Sequence, residues 1–162
     1  DGHHVNQEGL EFYDQIIQLC LENDIEPIPT LYHFEMPQAL VDEFGGWKSR
    51  KCIDAFVEYA KICFQKWQGT IKHWVTINEQ LIAMAASDLN GNHENDKVLQ
   101  TKNMYQMSYH ASLAEKKVMK LLKEIDYESH PIRLIGLSVS NPKEEIKKQW
   151  EQLSLEFKEW DD

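Results

Sequence analysis

Ile71-Lys72-His73-Trp74-Val75-Thr76-Ile77-Asn78-Glu79 is the stretch on which the fold turns. An alternating apolar run, bounded upstream by Gly69, ends abruptly on Asn78-Glu79. That pattern predicts a β-strand over 71–78 that delivers a carboxylate to its own C-terminal tip. A lone strand-end Glu is more often structural or solvated than catalytic, because loops are rich in exposed carboxylates. Its company therefore decides what Glu79 is for.

Upstream, Ile53, Phe56, Val57, Ala60, Phe64 and Trp67 form a helical stripe that stops at Gly69, a natural C-terminal boundary. The same order occurs earlier. Leu10, Tyr13, Ile16, Ile17 and Cys20 lie on one helical face running to about Asn23, and a strand follows over 25–34. Pro27 and Pro29 are tolerable there only near the beginning or beside a bulge. Downstream, periodicity fades from Gln80 to Asp96 into a polar stretch expected to be a mobile loop. Helical spacing returns with Met104, Met107, Ala111, Ala114, Val118, Leu121 and Leu122. A third strand is expected over 133–140, then a helix opened by Asn141 and Pro142 with Glu144 and Glu145 in its first turn and a stripe of Ile146, Trp150, Leu153, Phe157 and Trp160.

Helices alternating with nearly continuous apolar strands argue for parallel β and the α/β class, with consecutive strands side by side. The strand tips at Phe34, Asn78 and Ser140 then share one face. A Rossmann-like sheet would show the same alternation, but no Gly-x-Gly-x-x-Gly joins a strand to a helix. A (β/α)8 TIM barrel is the preferred architecture, and in such barrels catalytic groups come from strand C-termini. The chain of 162 residues is shorter than the ~250 typical of a complete barrel. It begins at Asp1 and ends Trp160-Asp161-Asp162, so residues 1–162 are expected to be a single partial barrel domain truncated at both ends.

Composition narrows the partners. Seventeen basic against twenty-seven acidic residues give a net charge of −10, which repels nucleic acid and anionic membranes at long range. No apolar run approaches the ~20 residues of a membrane span. Cys20, Cys52 and Cys63 are odd in number, lie within helical patterns and lack CxxC spacing, so they read as buried free thiols in a reducing, cytoplasmic setting. His3, His4, His73, His93 and His130 lack the spacing of a shared metal site, and no metal is expected.

Three motifs in register carry a family resemblance: Thr30-Leu31-Tyr32-His33-Phe34-Glu35-Met36-Pro37, then Gly45-Gly46-Trp47 followed by Arg50, then Thr76-Ile77-Asn78-Glu79. Together they resemble glycoside hydrolase family 1, the β-glucosidases and 6-phospho-β-glucosidases. Phe34-Glu35, where many plain β-glucosidases show Trp-Asp, and Met104-Tyr105-Gln106 with His110 are more similar to the bacterial 6-phospho branch. The resemblance spans essentially the whole chain, as roughly the third to fifth barrel strands with flanking helices. It implies a retaining hydrolase of β-glucosides, 6-phosphorylated in that branch, with Glu79 as general acid/base, Asn78 binding the sugar 2-hydroxyl and His33 contacting a sugar hydroxyl, and no cofactor. In that chemistry two carboxyl groups about 5–5.5 Å apart flank the glycosidic bond. The family's nucleophilic Glu belongs to an Asn-Gly-containing motif, and no Glu-Asn-Gly occurs in this sequence. The residues that hold the sugar phosphate are likewise missing, so this chain alone is expected to be inactive. Gln80 departs from the family's usual Pro or Ile, and Glu115-Lys116-Lys117 from a stretch usually richer in Ala.

Competing readings remain beside these. Glu35 could pair with Glu79 as acid and nucleophile, although Pro37 beside it suits a loop-shaping role. His110 is expected to pack or cap. Trp47 either stacks on sugar or wedges the Gly-Gly turn. An inactive half-barrel with open strand edges and apolar helix faces would self-associate, and an unphosphorylated β-glucosidase is the remaining alternative.

Overall fold

The computed structural model describes residues 4–84 and 97–132. The expected polar loop over 87–96, the strand over 133–140 and the helix after Asn141 lie outside the described residues. In order, the elements are α1 (Gln7–Glu22), β1 (Thr30–Tyr32), α2 (Gln38–Phe44), a 3-10 turn (Gly46–Lys48), α3 (Lys51–Lys66), β2 (His73–Ile77), α4 (Lys97–Ile125) and β3 (His130–Ile132). The three strands form one parallel sheet in the order β1-β2-β3. Parallel neighbours need long crossovers, and α3 and α4 lie in the two connections.

Trp74 and Thr76 of β2 face the helices. Trp74 packs edge-on against Phe64 of α3 at 5.0 Å between ring centroids, and Thr76 donates its hydroxyl to Glu115 of α4. Strand period two then turns Val75 and Ile77 to the opposite face, where both are also buried. A strand buried on both faces is the condition of parallel sheets in α/β folds. The α3 stripe goes inward as its spacing predicts: Ile53, Phe56, Ala60, Phe64 and Trp67 are all buried, joined by Cys52 and Cys63. On α4, Met107, Ala111, Ala114, Val118 and Leu122 are 0–1% exposed, at the three- and four-residue steps of one helix face.

Several elements differ from expectation. β1 has three residues rather than the ten of 25–34, because Pro27 and Pro29 have no N–H to give to a ladder and the backbone turns left-handed at Phe34 (φ 74°). A helical turn occupies 80–84, where fading periodicity suggested a loop. α4 starts at Lys97, earlier than its apolar stripe, and β3 starts at His130 rather than 133. The stripe of α1 is only partly covered: Ile17 is buried and Leu10 and Cys20 are half-buried, whereas Tyr13 is 59% and Ile16 42% exposed. α1 is fastened along one line, by Ile17 and by the Asp14 carboxylate, which accepts the Trp67 indole N–H at 2.9 Å.

Burial pushes the Cys52 thiol up to about 12 and the Cys63 thiol up to about 11. All three cysteines are free, and Cys20 is only half-buried. A thiol-alkylating reagent at about pH 8 is therefore expected to modify Cys20 in the native protein and to reach Cys52 and Cys63 only after unfolding, as peptide mass mapping would read.

Among the described residues, two carboxyls are held below their ordinary value of 3.8: Asp14 chiefly by the Trp67 indole, and Asp126 chiefly by the backbone N–H of Gly69. Both bind protons more weakly folded than unfolded. They therefore contribute stability above about pH 3.8, and that contribution is lost as pH falls through the lower folded values. Urea midpoints measured from about pH 5 downward should fall, and the paired substitution Asp14→Asn with Asp126→Asn should make that fall shallower.

Candidate active site

The register of β1 against β2 creates the site. Tyr32 lies beside Ile77, and the ladder continues one step further as the Asn78 N–H donates to the Tyr32 carbonyl at 2.9 Å. The next residues on each strand, His33 and Asn78-Glu79, therefore emerge together at the C-terminal edge of the sheet. The Asn78 side-chain amide meets the Nε2 of His33 at 3.3 Å. With Nδ2 as donor, His33 accepts at Nε2, and its ring proton sits on Nδ1.

Glu79 occupies a half-buried position with φ 43°. A left-handed backbone at a residue with a Cβ costs on the order of 1–3 kcal/mol and persists where the surroundings enforce it. The surroundings are specific here. The Glu79 carbonyl accepts from the Ala83 N–H at 2.9 Å, opening the helical turn at 80–84. Gln80 is 4% exposed, and its Nε2 donates to the Ser108 carbonyl and the Ser112 hydroxyl of α4, each at 2.8 Å.

Glu35 lies exposed after β1. Trp47 is 2% exposed and meets Tyr32 and Phe56 edge-on, each at 5.6 Å; it wedges the core and presents no face to a ligand. Gly45 and Gly46 place it there, with successive φ of 80° and 58° that residues with a Cβ adopt only at a cost. His110 packs as expected: it is buried, and its Nδ1–H donates to the Trp47 carbonyl at 2.8 Å. Among the described residues, no group of three or more His, Cys, Asp and Glu could hold a metal ion, and no helix is long and apolar enough to cross a membrane.

Among the described residues, Gln80, Glu115 and Ser129 are buried polar residues to which no role was assigned from sequence. Gln80 carried no signal beyond its unusual identity. Glu115, 1% exposed and bonded to Thr76, was discoverable: it stands four residues after Ala111 and three before Val118, on the inward stripe.

A parallel sheet wrapped by helices, with polar groups gathered at the strand C-termini, defines a partial (β/α)8 barrel. The profile of Glycosyl hydrolase family 1 matches residues 1–159, and the chain belongs to that family. It is 34% identical over 145 residues to an aryl-phospho-beta-D-glucosidase of Bacillus subtilis, covering 88% of this chain and 30% of that protein. With beta-glucosidase 42 of Arabidopsis thaliana it shares 36% over 145 residues, covering 85% and 28% respectively. A solved beta-glucosidase of Thermotoga maritima, in complex with deoxynojirimycin, superposes with a TM-score of 0.74 at 26% identity, covering 89% of this chain and 33% of that one. The chain thus spans about a third or less of the proteins it matches.

Because Glu79 carries a left-handed backbone, Glu79→Gly should leave stability unchanged or raise it by up to about 1 kcal/mol in denaturant melts, glycine's relief of strain offsetting its unfolded-state entropy. Val75→Gly, in the buried centre of β2, should lower it.

Proposed function

We propose that this chain supplies the acid/base half of a retaining β-glucosidase site. Glu79 protonates the glycosidic oxygen as the leaving group departs, then takes a proton from the water that releases the sugar. Asn78 and His33 hold sugar hydroxyls beside it. The observation that carries this is the meeting of Asn78 and His33 at 3.3 Å on adjacent strand tips, one residue from Glu79, in a member of this family. The nucleophilic carboxylate is a residue other than Glu79, Asn78 and His33.

The proposed sugar is a 6-phospho-β-glucoside in a cytoplasmic setting. Its support is the Phe34-Glu35 pair and the similarity to the aryl-phospho-beta-D-glucosidase and to a 6-phospho-beta-glucosidase of Bacillus subtilis, 31% identical over 139 residues. A second reading, self-association of an inactive half-barrel, is favoured by Phe12, Tyr13, Ile16 and Leu19 exposed along α1.

The test is to titrate the chain with a chromogenic β-glucoside, with and without a 6-phosphate, following both turnover and amide NMR shifts. The expected result is no turnover, shifts at His33, Asn78 and Glu79, and at least tenfold weaker binding in Asn78→Ala. Shifts elsewhere, or binding indifferent to Asn78→Ala, would sink the site assignment. Turnover abolished by Glu79→Gln, a loss of ~100-fold or more for a general acid, would place the second carboxylate within the chain or a second copy. A monodisperse monomer in light scattering would remove the self-association reading.

A further inference from the structure

We propose that Gln80 is a positioning residue, which clamps the backbone of Glu79 to α4 and so fixes where the acid/base carboxylate stands; the catalytic half of this statement rests on the function proposed above. A buried carboxamide has to find partners, since each unpaired polar atom would forfeit its bonds to water. Gln80 uses both hydrogens of its amide, on the Ser108 carbonyl and the Ser112 hydroxyl at 2.8 Å each. Those acceptors are one helical turn apart on the same face of α4. A carbonyl oxygen can only accept, so the orientation of the amide is set by Ser108.

The consequence for Glu79 is geometric. Its peptide is held on one side by the Asn78 N–H on the Tyr32 carbonyl, on the other by the Gln80 side chain on α4, and by its own carbonyl on the Ala83 N–H. Between these anchors the backbone is left-handed, a conformation that an unrestrained Glu would leave. Three residues before Glu79, Thr76 bonds Glu115 of the same helix, so α4 grips the chain on both sides of the carboxylate. An apolar side chain of equal size would fill the space left by Gln80 equally well, but it would not dictate the direction of the chain there.

Two variants separate clamping from filling. Gln80→Met keeps most of the volume and removes both donors; Ser112→Ala removes one acceptor from α4, leaves β2 untouched and suits a helix. Amide hydrogen exchange is followed at Ala83, which reports the Glu79 carbonyl, and at Val75, whose N–H bonds Pro29 at 2.9 Å in the strand centre. The expected result is exchange at Ala83 faster by at least tenfold in Gln80→Met and severalfold in Ser112→Ala, with Val75 unchanged in both. Ala83 and Val75 accelerating together, or neither responding, would overturn the clamp. Should Gln80→Met fail to fold, Ser112→Ala decides alone.

A bromoacetyl-β-glucosylamine, which alkylates a carboxylate beside a bound sugar, gives the second readout. Labelling of Glu79 should slow severalfold in Ser112→Ala at unchanged half-saturation. A selective exchange response without any labelling of Glu79 in the parent chain keeps the clamp and removes the catalytic role. Labelling that is unaltered by Ser112→Ala removes the positioning role.

Discussion

The parallel pairing of β1 with β2 is the constraint on which the remainder depends. Thr30 beside Val75 and Tyr32 beside Ile77 fix a register in which the two strands end within one residue of each other. A slip of one residue would move His33 away from Asn78 and turn the side chains of β2 to the wrong faces, sending Trp74 from the helix layer to the opposite side. The short β1 makes few ladder bonds of its own, so packing behind the sheet has to hold the register. Trp47 does part of this, lying against Tyr32 on one side and Phe56 on the other.

α4 is the second organising element. Its apolar stripe of Met107, Ala111, Ala114, Val118 and Leu122 closes the core, and small residues at 111 and 114 allow close approach. Beside that stripe runs a polar line that reaches three different segments. Gln106 donates to the Lys48 carbonyl at 2.9 Å and His110 to that of Trp47, fixing the Gly-Gly turn. Ser108 and Ser112 receive Gln80, and Glu115 receives Thr76. Polar contacts of this kind are directional, so they define one arrangement of β2 against α4 where apolar packing alone would tolerate several.

Much of this was legible in the residues. The inward faces of α3 and α4 follow from three- and four-residue spacing, and β2 with its polar tip from alternation that ends on Asn78-Glu79. The α1 stripe was legible as a helix but not as a buried one, because periodicity reports which face is apolar and says nothing of what lies opposite. α2 and the turn at 80–84 were missed. α2 has only seven residues and no buried one, too few to develop a period, although Pro37 before it and Gly45 after it are boundary residues. The 80–84 turn is set by Gln80 reaching α4 across 28 positions of sequence, a contact no local window contains.

By itself, then, the sequence determined the α/β class, the parallel order of helix and strand, and the identity of the polar residues at the strand tips. These depend on local patterns of hydrophobicity and on which residues interrupt them. Only the tertiary structure decided the left-handed backbone at Glu79, the burial of Trp47, and the meeting of Asn78 with His33. Each of those is imposed by atoms distant in the chain: the Tyr32 carbonyl, the Phe56 ring, the side of α4. Their positions are settled only when the whole core packs at once.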